Sequence, residues 1–518
     1  MSQVQTYDPR TGERRDAGLT ETTASEVASV CAHAADAAMP FGHLGTWPLT
    51  RRSGALRAVA DRIEAEAADL AALADEETAL GLPRLHSEIV RTVGQLRLFA
   101  AAVEEGSFLD VIVDPADPDA QPIPRPDLRR MLQPIGPVAV FAASNFPFAF
   151  SVAGGDTAAA LAAGCPVVVK AHEGHPRTSA RTAQLVTAML SEAGAPPGTF
   201  AIVYGRDAGL ALVAHPHVRA VGFTGSVRGG RALFDVAVAR PDPIPFYGEL
   251  GSLNPVVVTP AAVAARGAEI AAGFVASFTL GTGQFCTKPG LLFLPAGHGL
   301  DEALAEAVAT VPAGPLLTHA IRDGFAGSVE RLEDVTAVRL IAGTKDVALD
   351  DLRQPGVASD EPSGRATPRA GGQGSPLVVS PRLYGTAAAS LVANPALAEE
   401  CFGPAALVVE WEGEDDLFAA LDQVAGSLTA TVHAEDEDED RGLSERLLAR
   451  ARNLAGRIIW NGWPTGVPVT EAMHHGGPWP ATTSPLHTSV GTTSIRRFLV
   501  PVVYQDTPQH LLPAPLRD

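Results

Sequence analysis

The sequence predicts an α/β fold of two large domains, each built on a parallel sheet flanked by helices. Three observations carry this. Short apolar runs of strand length alternate with helical patterns from residue 137 to 251. A second block of the same kind starts near residue 252. At 518 residues the chain exceeds what one hydrophobic core supports.

Residues 22–40 and 52–105 read as helices, since in "ALRAVADRIEAEAADLAALADEE" apolar residues recur three and four apart. "DPADPDAQPIPRPD" (114–127) is too rich in Pro and Asp for a helix or a central strand, and reads as an exposed or extended connection. "PVAVFAAS" (137–144) is a buried strand, "GGDTAAALAAG" (154–164) a helix stopped at Gly164, and "PVVVKA" (166–171) the next strand. "TSARTAQLVTAMLSEAG" (178–194) is a helix capped by Thr178 or Ser179 and closed near Gly194. "FAIVYG" (200–205), "VRAVGFTGS" (218–226) and "IPFYGELG" (244–251) continue the strands, with helices at 207–214 and 228–239. Five strands alternating with helices make a nucleotide-binding architecture. In the second block, "NPVVVTP" and "PLVVS" read as strands and 261–280 as a long helix. Residues 354–376 read as a Gly/Pro/Ser-rich surface loop, and "EDEDED" (435–440) as a solvated loop or helix start.

Composition narrows the function. Apolar residues make up 46% and charged residues 19%, a globular balance. The net charge of −20 argues against a nucleic-acid partner. The four cysteines, Cys31, Cys165, Cys286 and Cys401, form no CxxC pair, so a disulfide framework or a cysteine-rich zinc site is not expected. A reducing cytoplasm fits them. No signal peptide is read at the N-terminus, and no uninterrupted apolar run reaches the roughly 18 residues of a membrane helix.

Four places can carry chemistry. Cys286 lies in "GQFCTKPG", where Gly281, Gly283 and Gly290 allow close backbone approach and a thiolate can attack a carbonyl. A lone cysteine is otherwise a small buried hydrophobe. Glu249 follows a strand at the sheet end where ligands bind, and can remove a proton or activate water; alone, such a residue is ordinarily a surface group. Asn145, in "ASNFPFAF", is either a helix cap or a donor to a developing oxyanion. In "FTGSVRGG", Gly225, Ser226 and Gly230 mark a strand-to-helix turn whose N–H groups can hold a pyrophosphate. It is not GxGxxG and is weak by itself.

Together, "ASNFPF", "VVVKAHE", "FTGSVRGG", "ELGSLNP", "GQFCTKPG" and "EECFGP" resemble the aldehyde dehydrogenase superfamily in order and spacing over nearly the whole chain. The 37-residue separation of Glu249 and Cys286 is slightly long for the superfamily but suits one branch. That branch contains 2-oxoglutarate semialdehyde (2,5-dioxopentanoate) dehydrogenases and NADP-linked fatty aldehyde dehydrogenases. Residues 127–172, 277–290 and 461–506 carry the likeness.

The resemblance implies a Rossmann-type cofactor domain (1–115 and 135–251), a catalytic domain (252–470), and an oligomerisation arm and tail (116–134 and 485–518). It implies Cys286 as nucleophile, forming a thiohemiacetal and then a thioester, Asn145 and the Cys286 N–H as oxyanion donors, and Glu249 as the base that activates water. Lys170 matches the lysine at the adenosine ribose, Gly225 and Ser226 the pyrophosphate turn, Glu400 and Phe402 the residues at the nicotinamide ribose, and Gly251 the glycine near the nicotinamide. The cofactor is NAD or NADP, with NAD slightly favoured. Glu173 would repel a 2′-phosphate and favours NAD, whereas Arg206 can grip one and favours NADP. Arg91 is the candidate anchor for a substrate carboxylate; its bland alternative is an ion pair with Glu88 on the helix surface. Trp463 and "PLHTS" (485–489) bear on the substrate mouth. "HEGH" (172–175) and "HHGG" (474–477) are declined as metal motifs, and the chemistry needs no metal. A homodimer, or a dimer of dimers, is expected. The alternatives are a dehydrogenase of long-chain or aromatic aldehydes, a cofactor-independent thioester or ester hydrolase using Cys286 and Glu249, and a catalytically silent relative.

Overall fold

The computed structural model describes residues 2–343, 377–435 and 438–518. Its first large sheet has five strands, all parallel, in the spatial order Phe200–Val203, Val167–Lys170, Val138–Phe141, Ala220–Thr224 and Phe246–Glu249. The runs VAVF and VVVK are buried on both faces, as expected for a sheet covered by helices twice. On one side lie Leu49–Ala65, Leu82–Glu105 and Gly155–Ala163, with Leu56, Leu96 and Leu161 in a shared core. On the other lie Ala24–Gly42 and Arg206–Ala214. The strands' C-terminal ends therefore all open on one rim, where Lys170, Thr224 and Glu249 are terminal residues.

The second sheet has seven strands, ordered Arg339–Gly343, Arg382–Ala387, Ala405–Trp411, Leu291–Pro295, Val256–Val258, Ser427–His433 and Ala455–Trp460. All neighbours are parallel except the edge pair Arg339–Gly343 and Arg382–Ala387. Three antiparallel strands, Ile112–Asp114, Leu128–Pro134 and Leu499–Gln505, form a separate sheet.

Several expectations change. The helical stretch 52–105 is three helices, Leu49–Ala65, Ala67–Thr78 and Leu82–Glu105, the first break falling at Glu66 (φ −104°, ψ 16°). The helix expected to start at Thr178 or Ser179 starts at Pro176. Its first-turn donors at Arg177 and Thr178 are capped by the buried Glu77 carboxylate, at 3.0 and 2.8 Å. "PLVVS" gives only Val378–Val379, paired with Gly314–Pro315 outside the large sheets. In the acidic run, Asp440 is buried and accepts a hydrogen bond from Thr259 Oγ1, so that residue is structural rather than solvated. The expected loop at 354–376 lies outside the described residues. An N-terminal hairpin, Gln3–Asp8 with Glu13–Thr20, was not anticipated. Among the described residues, helix Pro260–Thr279 has the length and mean hydropathy (1.3) of a membrane span by composition, although its apolar run is interrupted. It carries Arg266 and Glu269, and it packs Ile270, Phe274 and Phe278 into the second sheet's core.

Candidate functional site

The helix Pro260–Thr279 delivers the chain into a turn where Gly281, Thr282 and Gly283 all have positive φ (58°, 58° and 65°). At Gly283 a Cβ would stand 2.2 Å from the Gly403 carbonyl oxygen, so only glycine fits this crossing. The following segment is pinned by buried amides. Gln284 Nε2 donates to the Gly281 and Pro315 carbonyls, both at 3.2 Å, and its Oε1 accepts from Leu317 N at 2.9 Å. Asn254 Nδ2 donates to the Cys286 and Lys288 carbonyls at 2.8 and 2.9 Å. These bonds hold the half-buried Cys286 in a fixed loop facing the rim of the first sheet.

Asn145 is not a helix cap, because the next helix starts at Gly155 with Gly154 as its cap. Its Nδ2 donates to the Gln284 carbonyl at 2.8 Å, which brings the amide to the Cys286 loop. Glu249 is the last residue of its strand and is buried. The irregular segment 473–490 closes over that edge strand through a bridge between Glu249 and Thr482 and a bond from Leu250 N to the Ala481 carbonyl at 2.8 Å. It carries His475 into the site. The "HHGG" stretch, set aside because no ligand cluster lies near it in sequence, thus supplies a site residue. One ligand atom each from Glu249, Cys286 and His475 lie within 4.8 Å of one another.

His475 Nε2 is 2.9 Å from Glu249 Oε1 and 3.5 Å from Cys286 Sγ. Ser489 Oγ donates to Glu249 Oε2 at 2.5 Å. Burial alone would raise the Glu249 carboxyl, but His475, Ser489 and Cys286 outweigh it and hold it below the ordinary carboxylate range. An ionised carboxylate has no proton to give, so His475 Nε2 carries the hydrogen and donates it to Glu249. Nε2 is then not free to accept the thiol proton, and Glu249 is the acceptor within reach. Burial, then the charges of Glu249 and Glu400, push the Cys286 thiol well above its ordinary value, and Arg91 opposes them. The resting site is a thiol beside a carboxylate.

Arg91 does not pair with Glu88 on a helix surface. The buried Glu88 carboxylate accepts from Phe148 N and Ala149 N at 2.8 and 2.9 Å. Arg91 Nη1 donates to the Val467 carbonyl, its guanidinium lies 5.7 Å from the Phe150 ring centroid, and its buried Nε has no partner among the described residues. Arg457, which the sequence reading missed, sits in the same neighbourhood. It donates to the Pro464 and Gly466 carbonyls at 2.5 and 3.1 Å, its Nε is also unpartnered, and it too feels the Cys286 charge.

At the cofactor rim, Ser226 caps the helix Val227–Ala239, accepting from Gly229 N at 3.2 Å. Gly225 donates its N–H to the Glu249 carbonyl at 3.0 Å. At Gly230 a Cβ would stand 2.2 Å from Leu250 Cδ2, so this glycine serves helix–strand packing. At Gly251 a Cβ would stand 2.4 Å from Glu400 Oε2 and 2.9 Å from Val227 Cγ2, so a larger residue here would push the Glu400 carboxylate aside. Burial pushes Glu400 up to about 7, against the pull of Lys288 and a bond from Ser252. The buried Lys288 Nζ donates to the Cys401 and Ala405 carbonyls at 2.6 and 2.8 Å, on either side of the half-buried Phe402. Lys170 Nζ pairs with Glu173 Oε1 at 3.1 Å, and Arg206, the first residue of its helix, adds to the field that keeps Glu173 ionised. A helix N-terminus capped by Ser226 and a strand-end lysine on one rim fit a dinucleotide.

A pinned cysteine, a buried carboxylate and a doubly wound sheet with a dinucleotide rim define an oxidoreductase working through a covalent cysteine adduct. The chain belongs to the aldehyde dehydrogenase family, whose model matches residues 2–344. It is 46% identical, over 99% of its length and 93% of the relative's, to alpha-ketoglutaric semialdehyde dehydrogenase 2 of Azospirillum brasilense. It is 42% identical, over 90% and 84%, to alpha-ketoglutaric semialdehyde dehydrogenase of Acinetobacter baylyi. Among solved structures, a mutant of aldehyde dehydrogenase C from Pseudomonas syringae, complexed with NAD+ and octanal, shares the fold with a TM-score of 0.77 at 20% identity, over 98% of this chain and 94% of that one. The protein is an NAD(P)-dependent aldehyde dehydrogenase, a class that does not favour the hydrolase and silent readings.

Proposed function

We propose that the enzyme oxidises 2-oxoglutarate semialdehyde to 2-oxoglutarate through Cys286. The observation that carries the substrate is the pair of guanidinium groups, Arg91 and Arg457, which donate to the adjacent Val467 and Gly466 carbonyls within the reach of the Cys286 charge, each with a buried Nε lacking a partner among the described residues. A buried unpartnered donor is costly, and a carboxylate at the far end of the substrate would satisfy it. The names of the two relatives point the same way.

Cys286 gives its proton to Glu249 as Sγ attacks the aldehyde carbon. The Cys286 backbone N–H and the second hydrogen of Asn145 Nδ2 are the candidate donors for the oxygen that becomes negative. The bound NAD(P)+ supplies the hydride acceptor. Glu249, held by His475 and Ser489, releases that first proton to solvent, then takes a proton from the water that opens the thioester and passes it to the departing Sγ, so that the acid and the free thiol are left. Lys170, Glu173, Ser226, Gly251, Glu400 and Phe402 are the residues to hold the cofactor. Ionised Glu173 on the Lys170 side of the rim favours NAD over NADP, with Arg206 as its counterweight.

The test is nicotinamide reduction with 2-oxoglutarate semialdehyde, run with NAD+ and NADP+ separately and with Cys286→Ala as control. Turnover of other aldehydes but not this one would remove the substrate and keep the mechanism. We also propose a homodimer formed through the small antiparallel sheet, whose outer residues Ile112, Val113 and Val503 are exposed apolar groups on open strands. Light scattering showing a monomer would refute it.

A further inference from the structure

We propose that Glu249, Cys286 and His475 form a three-ligand zinc site, and that a zinc ion bound there shuts the enzyme off. The donor geometry carries this site independently of the substrate assignment. Thiolate, imidazole and carboxylate are the three donor types zinc takes in proteins, and three protein ligands with a water in the fourth position is an ordinary zinc arrangement. Bond lengths of about 2.3 Å to sulfur and about 2.0–2.1 Å to nitrogen, at a tetrahedral angle, put those two atoms about 3.5 Å apart. Cys286 Sγ and His475 Nε2 are 3.5 Å apart. The nitrogen–oxygen edge needs about 3.3 Å, so the 2.9 Å between His475 Nε2 and Glu249 Oε1 opens by only a few tenths of an ångström. Glu249 Oε2 stays bonded to Ser489, which orients the carboxylate and leaves Oε1 for the metal. Glu249 and His475 line a small pocket together with Thr488 and Ser489, so two of the three donors border open space.

Other histidines do not compete. His175 spends both ring nitrogens on Ser179 and the Ala143 carbonyl. His433 has both nitrogens unpartnered but belongs to no three-ligand group among the described residues. On binding, the Cys286 thiol loses its proton to solvent, and the His475 proton moves from Nε2 to Nδ1, which has no partner among the described residues. Zinc then holds both the nucleophile and the base, and neither can act.

The test uses the full-length apoenzyme in chelator-treated buffer. Zinc binding is read by competition with a chromogenic chelator, and Co2+ is added separately to look for a thiolate-to-cobalt charge-transfer band. The expected result is one zinc per chain bound in wild type and lost in Cys286→Ala, with affinity at least about tenfold weaker in His475→Ala. The cobalt band should vanish in Cys286→Ala, and zinc inhibition of aldehyde turnover should reverse with EDTA. Wild-type protein alkylated at Cys286 serves as a second, already folded control. Unchanged zinc uptake in Cys286→Ala and in the alkylated protein would overturn the site. Zinc bound at this stoichiometry without loss of turnover would overturn the shut-off.

Discussion

His475 should govern the basicity of Glu249, and replacing it by Ala tests this directly. The bond from Nε2 to Oε1, 2.9 Å long and buried at both ends, is a hydrogen bond to a charged acceptor. Such a bond contributes about 1.5–3 kcal/mol, which as transition-state stabilisation is about 10- to 100-fold in rate. Without it, burial raises the Glu249 carboxyl against one fewer opposing bond, and only Ser489 and Cys286 remain to lower it. The base form is then lost at higher pH. The acid limb of the kcat profile should therefore move upward in pH for His475→Ala, with kcat/KM down about 10- to 100-fold. His475→Gln keeps an N–H donor and should recover part of the rate and of the profile. The assay is steady-state nicotinamide reduction across pH 5 to 9, with circular dichroism to check folding. A fall in rate with an unmoved acid limb would refute the claim that His475 acts through Glu249, and wild-type kinetics would remove His475 from the mechanism.

The substrate anchor predicts a split between substrates: Arg91→Gln and Arg457→Gln should each raise KM for the acid semialdehyde about tenfold or more, and shift KM for a neutral aldehyde much less. Because Arg91 also holds the Cys286 thiol down, Arg91→Lys should preserve kcat for the neutral aldehyde better than Arg91→Gln does; equal losses on both substrates would sink the anchor. Glu173→Gln should raise the NADP-to-NAD ratio of kcat/KM by about tenfold, a modest effect because the carboxylate is largely exposed, and an unchanged ratio would pass cofactor choice to other residues. Glu400, with its folded value raised to about 7, binds more protons folded than unfolded between the ordinary carboxylate range and pH 7. Its contribution to stability therefore falls as pH rises through that window. Melting temperatures of wild type should drop there relative to Glu400→Gln, and parallel curves would refute the shift.

What the sequence discloses about this molecule follows the range of the forces involved. The first sheet is legible because "VAVF" and "VVVK" are short, β-branched and buried on both faces, and because Gly164 and Gly194 mark helix ends with a positive φ. Asn145, Glu249 and Cys286 were named because each lies in a recognisable local stretch, and the structure gathers all three. What stayed hidden depends on partners far along the chain. The cap of the helix Pro176–Glu192 comes from Glu77, 100 residues upstream of Arg177, so local preference chose Thr178 or Ser179 instead. The break at Glu66 carries no Gly or Pro to announce it.

His475 is the sharpest case, since its partner Glu249 lies 226 residues away. The one signal for it, "HHGGP", could be read as part of a branch signature but not as a catalytic contact. The physical reason it arrives there is an open sheet edge. Phe246–Glu249 is the last strand of its sheet and needs covering, and segment 473–490 covers it through Thr482, Thr483 and Ala481. The same closure that satisfies the edge strand's backbone places an imidazole and a serine hydroxyl on the Glu249 carboxylate. Thr483 provides the way to separate the two effects. Its Oγ1 accepts from Gly248 N at 2.8 Å and donates to the Phe246 carbonyl at 2.6 Å, without touching Glu249, His475 or Cys286. Thr483→Val should loosen the cover, lowering the melting temperature and turnover together while leaving the acid limb of the profile in place. A shifted acid limb in that variant would mean that the cover sets the Glu249 basicity through the backbone rather than through His475.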